Sequence, residues 1–387
     1  MKELRVGIIG YGNRVSHMSK MLRKFDIPLK IQAIADPRMN QIEALNDPHL
    51  AGTRFFPHAD AMLKGEKLDG IMIGTRCFMH TDMAIKAARA NVPLFIEKPI
   101  AISMEQLRRL DKAFRNFKPP TVVSFPLRLS PLAVKAKEVI KSGVIGTVEN
   151  FNAFNDVPYG DAYFYAFYRN WNEVGGLWLQ KATHDLDYLN FLLDQKPVLV
   201  AAVNSQRVLG EGGGKPFDLT CDKCSQAEKC LESPYNAFYT RRIRDAERMR
   251  KDKLCVFAKG IKNEDNGSCL LQYENGVQGV YHQNFFARNK AARRGVRLYG
   301  YKGTIEFDWY TGELKVFYHH KNAVETLKFE GGDGHGGGDE ELCHDFLMAM
   351  RDGKPARSTI KDGILSALMC LKARESCETR KFVKISM

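Results

Sequence analysis

The stretch LFIEKPIAIS, residues 94–103, decides the fold. Leu94-Phe95-Ile96 is apolar throughout, as a parallel strand buried on both faces requires. It delivers Glu97, Lys98 and Pro99 to the strand's carboxyl end, where open α/β sheets bind their ligands. A lysine at that place can donate to a substrate oxygen or lose its own proton. Ser103 and Gln106 follow at capping-box spacing, ahead of a helix carrying Leu107, Leu110 and Phe114.

The same alternation extends in both directions. LRVGIIG (4–10), IQAIAD (31–36), GIMIGT (70–75) and TVVSF (121–125) read as strands. Val15, Met18, Leu22 and Phe25 recur at helical spacing, and a helix over about 80–90 ends where Asn91 suits a left-handed residue. Strand, helix and strand in succession predict a parallel sheet. At its first strand–helix turn stand Gly10-Tyr11-Gly12, followed by Asn13 and Arg14. Gly10 permits the tight turn, and Gly12 lets backbone approach a pyrophosphate at the helix N-terminus. Val15 occupies the third glycine position of the dinucleotide fingerprint. Asp36 ends the second strand, where it would accept from the ribose hydroxyls and favour NAD. A turn or N-cap acid before Pro37 is the alternative reading, and Arg38 leaves NADP open through a 2′-phosphate.

Beyond residue 125 the periodicity changes. Ser130-Pro131 opens a helix that Gly143 stops. Residues 147–156 and 197–208 read as strands, and Asn275-Gly276 marks a hairpin. Further strands fill 295–329, two helices lie near 339–352 and 359–376, and a short strand falls near Phe382-Val383. The expected fold class is α/β plus α+β. A Rossmann domain over 1–125 precedes a substrate-binding and oligomerisation domain over 126–387, built on a large, mostly antiparallel sheet. Residues 209–266 have little regular pattern and read as an insertion.

A second informative stretch is GGLWLQKATHDLDYLNFL, 175–192. His184, Asp187 and Tyr188 share one helix face. Together with Gly10-x-Gly12 and Glu97-Lys98-Pro99, this stretch resembles the Gfo/Idh/MocA oxidoreductases. His184 and Asp187 match the family's Gly-Gly-x-x-x-Asp-x-Gly-x-His-x-x-Asp segment, while Gln180 replaces its aspartate and Ala182 its glycine. The resemblance implies a nicotinamide-dependent dehydrogenase acting on a sugar or sugar derivative. His184 would be the principal acid/base, since histidine titrates near neutrality, with Lys98 as its partner on the same oxygen. Lys181 takes the missing aspartate's role as substrate orienter or second base.

The resemblance implies further contacts. Thr75 and His80 match the family's Thr-Pro-Asn-x-x-His segment, and with Glu97 would lie along the cofactor. Arg128 matches an arginine placed after the cofactor domain. His335-Gly336-Gly337 matches a glycine loop near substrate, with Asp339 capping the next helix. Tyr163, Arg169 and Trp171 form an aromatic, arginine-bearing loop suited to sugar stacking and hydroxyl or carboxylate recognition. Two alternatives stay open. One is an NAD-dependent glycosidase working by transient oxidation and elimination; the other is a dinucleotide-binding sensor without turnover.

Of nine cysteines, Cys221, Cys224, Cys230 and Cys255 fall together in sequence, and Cys77, Cys269, Cys343, Cys370 and Cys377 read as packing residues. The four fit a structural zinc, with reduced thiols or an iron–sulfur cluster as alternatives.

The charge is +13 over 387 residues. Part of it sits in Arg241, Arg242, Arg244, Arg248, Arg250, Lys251 and Lys253, which acidic neighbours turn into a solvated helix face. No nucleic-acid motif and no membrane-length apolar run are present, and residues 1–10 lack a signal peptide's features. The expectation is a cytoplasmic homodimer or homotetramer with a small carbohydrate substrate. A basic surface could steer in an acidic one, such as a uronate.

Overall fold

The computed structural model describes residues 2–240, 246, 248–330 and 333–387. Six parallel strands form the first sheet: β1 (Leu4–Ile9), β2 (Leu29–Ala35), β3 (Arg54–Phe56), β4 (Gly70–Ile73), β5 (Leu94–Ile96) and β6 (Thr121–Val123). Their order is β3-β2-β1-β4-β5-β6. Chain order reverses between β1 and β4, which opens the crevice in which such sheets bind ligands. The short edge strand β3 carries no periodic signal and escapes the sequence reading.

Both faces of this sheet are covered. Helices Ala59–Gly65, His80–Ala88 and Met104–Phe114 supply Met62, Ala84, Leu107 and Leu110 to one face. Helix Asn13–Met21 covers the other together with Leu342, Phe346 and Leu347 of helix Gly338–Asp352, from the far end of the chain. Phe346 meets Phe95 of β5 edge-on at 5.8 Å. Asn91 has φ 50°, as its helix-ending position requires. Ser103 caps its helix by accepting from Gln106 N at 3.2 Å, but the Gln106 side chain accepts from Ile102 N at 2.9 Å, one residue before the N-cap.

The second sheet has nine strands: the six above are followed by β7 (Val148–Asp156), β8 (Pro197–Ser205), β9 (Asn266–Tyr273), β10 (Gln278–Asn284), β11 (Arg293–Gly300), β12 (Gly303–Asp308), β13 (Glu313–Tyr318), β14 (Ala323–Lys328) and β15 (Val383–Lys384). Its order is β14-β13-β12-β11-β7-β10-β9-β8-β15, antiparallel except for the β7–β10 pair. Helices Thr183–Leu193 and Ile360–Thr379 pack on its inner face. The expected fold class is thus the observed one.

The basic run behaves differently from expectation. Arg241, Arg242, Arg244, Asp245 and Glu247 lie outside the described residues. Of the remainder, Arg250 pairs with Asp252 on the surface, but Arg248 and Lys253 turn inward. Both point at fully buried Asp161, at 2.7 and 3.6 Å. One buried carboxylate thus draws two cations out of the expected solvated face and ties the insertion to the loop before the Gly175-Gly176 pair.

Candidate active site

The turn after β1 has the shape a dinucleotide needs. Gly10 has φ +83°, and a Cβ there would stand 2.7 Å from Thr75 N, so neither the conformation nor the space admits a side chain. Gly12 is the N-cap of helix Asn13–Met21 and makes no side-chain cap bond, leaving the first-turn N–H groups available to a phosphate. The missing third glycine is compensated from the opposite wall. Val15 packs on Gly74 so closely that a Cβ at Gly74 would fall 2.0 Å from the Val15 methyl. These residues fit a dinucleotide, with Gly10, Tyr11, Gly12, Asn13, Arg14 and Thr75 around the turn.

Asp36 is buried at the end of β2 and accepts from Tyr11 N at 2.9 Å and from Arg38 N and Nε at 2.8 and 3.0 Å. Burial raises its pKa, but the Arg38 and Tyr11 bonds outweigh that and hold the carboxylate below its ordinary range. Arg38 is therefore already paired, which weakens its claim on a 2′-phosphate.

Lys98 leaves β5 beside a π-helical turn, Trp178–Ala182, that precedes helix Thr183–Leu193. Such turns break the regular hydrogen-bond ladder. Here Lys98 Nζ donates to the Gln180 carbonyl at 2.9 Å. The Gln180 side chain donates to Cys77 Sγ at 3.0 Å, so Cys77 belongs to this wall and is not a remote packing residue. Burial, followed by the charges of Lys181 and Arg14, lowers Lys98 to about 8. Lys181 comes one residue after Gln180 in the same turn; it is buried, lowered mainly by that burial, and donates from Nζ to the Tyr159 hydroxyl.

His184 lies on the next helix, with its ring edge-on to Phe125 at 5.9 Å and 5.6 Å from the His335 ring. Its Nδ1 is buried without a protein partner. Burial and the surrounding cations, Lys98 and Arg294 first, push it well below the usual histidine range, so the ring is neutral at pH 7. His335 Nδ1 meets Asp339 Oδ2 at 3.2 Å. Asp339 does not cap its helix; that N-cap is Gly337 with no side-chain bond. Its carboxylate instead takes Arg14 Nη1 and Nη2 at 2.6 and 2.5 Å. Arg14 Nε also lies 3.3 Å from Glu97, so the cofactor turn, the Glu-Lys-Pro segment and the glycine loop are joined through one guanidinium.

Several expected contacts are spent within the protein. His80 faces the Pro99 and Thr75 carbonyls at 2.8 and 3.0 Å, which leaves a cofactor no free ring nitrogen. Arg128 is buried, with both Asp187 oxygens at 2.6 and 2.9 Å and Asp362 at 3.1 Å, so it clamps two helices and presents nothing to substrate. Arg169 donates from Nη2 to the Phe217 carbonyl at 2.8 Å and stacks on that ring in the insertion, while its Nε and Nη1 are buried without a partner. Trp171 lies under Arg374 of helix Ile360–Thr379. Tyr163 packs between Tyr159, Tyr168 and Phe285.

Two site residues were missed. Tyr159 sits in a loop with no periodic signal and is 37% exposed. Arg294 occupies an inward register position of β11, among Val296 and Leu298. A charge at an otherwise apolar inward position is a readable signal.

The four clustered cysteines are free. Cys221, Cys230 and Cys255 lie within electrostatic reach of one another, as do Cys224 and Cys255. Burial raises the thiols of Cys221, Cys230 and Cys255, which keeps them protonated at neutral pH. Among the described residues no three His, Cys, Asp or Glu side chains are grouped to hold a metal, so the expected zinc site finds no support. Nor is any described helix long and apolar enough to cross a membrane.

Comparison with known proteins agrees with this fold. Residues 4–123 match the family described as "Oxidoreductase family, NAD-binding Rossmann fold", and residues 133–306 match the "GFO/IDH/MocA C-terminal domain". The chain is 27% identical to the YteT protein of Bacillus subtilis (strain 168), over 85% of this chain and 84% of that one. It is 27% identical to the inositol 2-dehydrogenase of Rhizobium meliloti (strain 1021), over 54% of this chain and 62% of that one. A levoglucosan dehydrogenase in complex with NADH and levoglucosan superposes with a TM-score of 0.78, covering 100% of both chains at 19% identity, a likeness of fold.

Proposed function

Because this chain belongs to the Gfo/Idh/MocA family of oxidoreductases, we propose that it moves a hydride between NAD and a hydroxyl-bearing carbon of a sugar or sugar derivative. The observation that carries this reading is the convergence of Lys98, Lys181, His184 and Tyr159 at the carboxyl end of the parallel sheet, beside the Gly10–Gly12 turn. Relatives named for inositol and levoglucosan, both polyhydroxylated rings, support the substrate class.

A dinucleotide whose pyrophosphate is held at that turn would supply its nicotinamide as the hydride acceptor. The chain's own part is to bind the alcohol and move its proton. Lys98 Nζ, with a pKa near the working pH, takes the hydroxyl proton in oxidation and returns it in reduction. His184, neutral and unpartnered at Nδ1, accepts or donates a hydrogen bond to the same oxygen and fixes its position. This reverses the weighting expected from sequence, in which histidine led. Lys181 and Tyr159 hold a neighbouring group of the substrate. The buried walls exclude water from the reacting carbon.

Asp36 repels a 2′-phosphate while Arg38 is paired to it, so NAD binds more tightly than NADP. Calorimetric titration with both cofactors checks this, and tighter NADP binding would overturn the Asp36 assignment.

The dehydrogenase reading is tested by stoichiometry. Incubation with a panel of sugars and glycosides in heavy water should form one reduced cofactor per oxidised sugar, with no solvent deuterium at carbon. Aglycone release with deuterium incorporation and no net reduction would replace it by the elimination route, for which Lys181 offers a second base.

A further inference from the structure

The substrate side of the cleft holds more positive charge than its own acids neutralise. Three cations lie there: Lys98, Lys181 and Arg294. Glu97 is taken by Arg14 at 3.3 Å. Asp185 is saturated, with Arg294 Nε on Oδ1 at 2.8 Å and Asn155 Nδ2 and the Tyr281 hydroxyl on Oδ2 at 2.7 and 2.8 Å. Among the described residues no carboxylate lies within ion-pair distance of Lys181 or Lys98. Lys181 is 5% exposed and has only the Tyr159 phenol. Arg294 is 6% exposed, and its Nη2 is buried without a hydrogen-bond partner.

An unmade bond at a buried guanidinium is costly, and native proteins leave few of them. Arg294 is placed to share a ligand with Lys181, since its partner Asp185 lies four residues beyond Lys181, about one turn along the same helical run. A sugar hydroxyl would satisfy one donor and neutralise nothing. A carboxylate would satisfy the free Nη2 and the Lys181 ammonium together, in the geometry guanidinium groups favour.

We propose, resting on the dehydrogenase reading above, that the substrate is a sugar acid whose carboxylate is received by Arg294 Nη2 and Lys181 Nζ, leaving the hydroxyl to be oxidised at Lys98. Cyclic uronates and open-chain aldonates share this chemistry.

Calorimetric titration of the NADH-loaded protein with matched pairs tests the proposal. The pairs are D-glucuronate with D-glucose, D-galacturonate with D-galactose, and D-gluconate with sorbitol, and glucose 6-phosphate is added as a control. In at least one pair the acid should bind about tenfold to a hundredfold more tightly than its neutral partner, as charge-assisted bonds would give. Which pair shows it separates the ring acids from the open-chain ones. Arg294→Gln and Lys181→Met should each abolish most of the preference, read as the ratio of acid to neutral affinity within the same variant. If Arg294→Gln fails to fold, Lys181→Met alone carries the test. Equal or tighter binding of the neutral partners or of the phosphate, binding by no member of any pair, or retention of the preference by the folded variants would overturn the proposal. Oxidation of neutral sugars without acid preference would defeat the carboxylate site and leave the dehydrogenase standing. Tight acid binding without NADH formation from any sugar would do the reverse.

Discussion

Lys98→Ala should lower turnover by roughly two to four orders of magnitude, the range for a positioned acid/base group, with cofactor affinity little changed. Lys98→Arg should fail almost as badly, because a guanidinium keeps its proton at any working pH. The pH dependence identifies the group. Burial first, then the neighbouring charges of Lys181 and Arg14, lower Lys98 to about 8. Alcohol oxidation needs the unprotonated amine, so its rate should rise with pH and level off above that value. Carbonyl reduction needs the ammonium and should fall over the same range. His184 is pushed well below its ordinary value and stays neutral throughout, so it contributes no limb near neutrality. His184→Ala should therefore slow the reaction without moving the Lys98 limb. Steady-state kinetics in both directions from about pH 6 to pH 10 would show this, and a flat oxidation profile would remove Lys98 as the base.

The largest stability effect should come from Asp185→Ala. Asp185 is fully buried and neutralises Arg294 while accepting from Asn155 and Tyr281. Removing it leaves a buried guanidinium without its counter-ion, which costs roughly 3–5 kcal/mol. Asp185→Asn should cost less, because the amide oxygen still accepts two of the three bonds. The double variant Asp185→Ala with Arg294→Met should recover much of the loss, since it removes both charges together. Denaturant unfolding of the parent, Asp185→Ala, Arg294→Met and the double variant measures the cycle. A single Asp185→Ala variant within about 1 kcal/mol of the parent would show that water reaches this pair.

The features legible in the sequence are those written locally. Gly10-x-Gly12 after an apolar run, Glu97-Lys98-Pro99 at a strand end and His184 on an apolar helix each declare a place in the fold through neighbours a few residues away. The alternation of strands beyond residue 265 and the Asn275-Gly276 turn likewise predict the antiparallel sheet. The contacts that resist reading are long-range. Nothing near Arg14 announces Asp339, nothing near Arg128 announces Asp187 or Asp362, and Asp161 gives no sign that it will gather Arg248 and Lys253. The π turn at Trp178–Ala182 is hidden because one extra residue per turn leaves the apolar pattern nearly intact. Arg128 and His80 point to ligands in the sequence because each matches a family motif position. Their buried carboxylate and carbonyl partners become visible only when the chain is folded.

The covering of the first sheet by Leu342, Phe346 and Leu347 has a consequence for biosynthesis. A ribosome releases β1 to β6 long before it reaches helix Gly338–Asp352, and chains fold from the N-terminus as they emerge. Through that interval the apolar face around Phe95 and Val122 lacks its outer layer. Arg14 waits 325 residues of translation for Asp339. The cofactor turn therefore reaches its final form only after helix Gly338–Asp352 has emerged, and until then the nascent sheet carries exposed apolar surface.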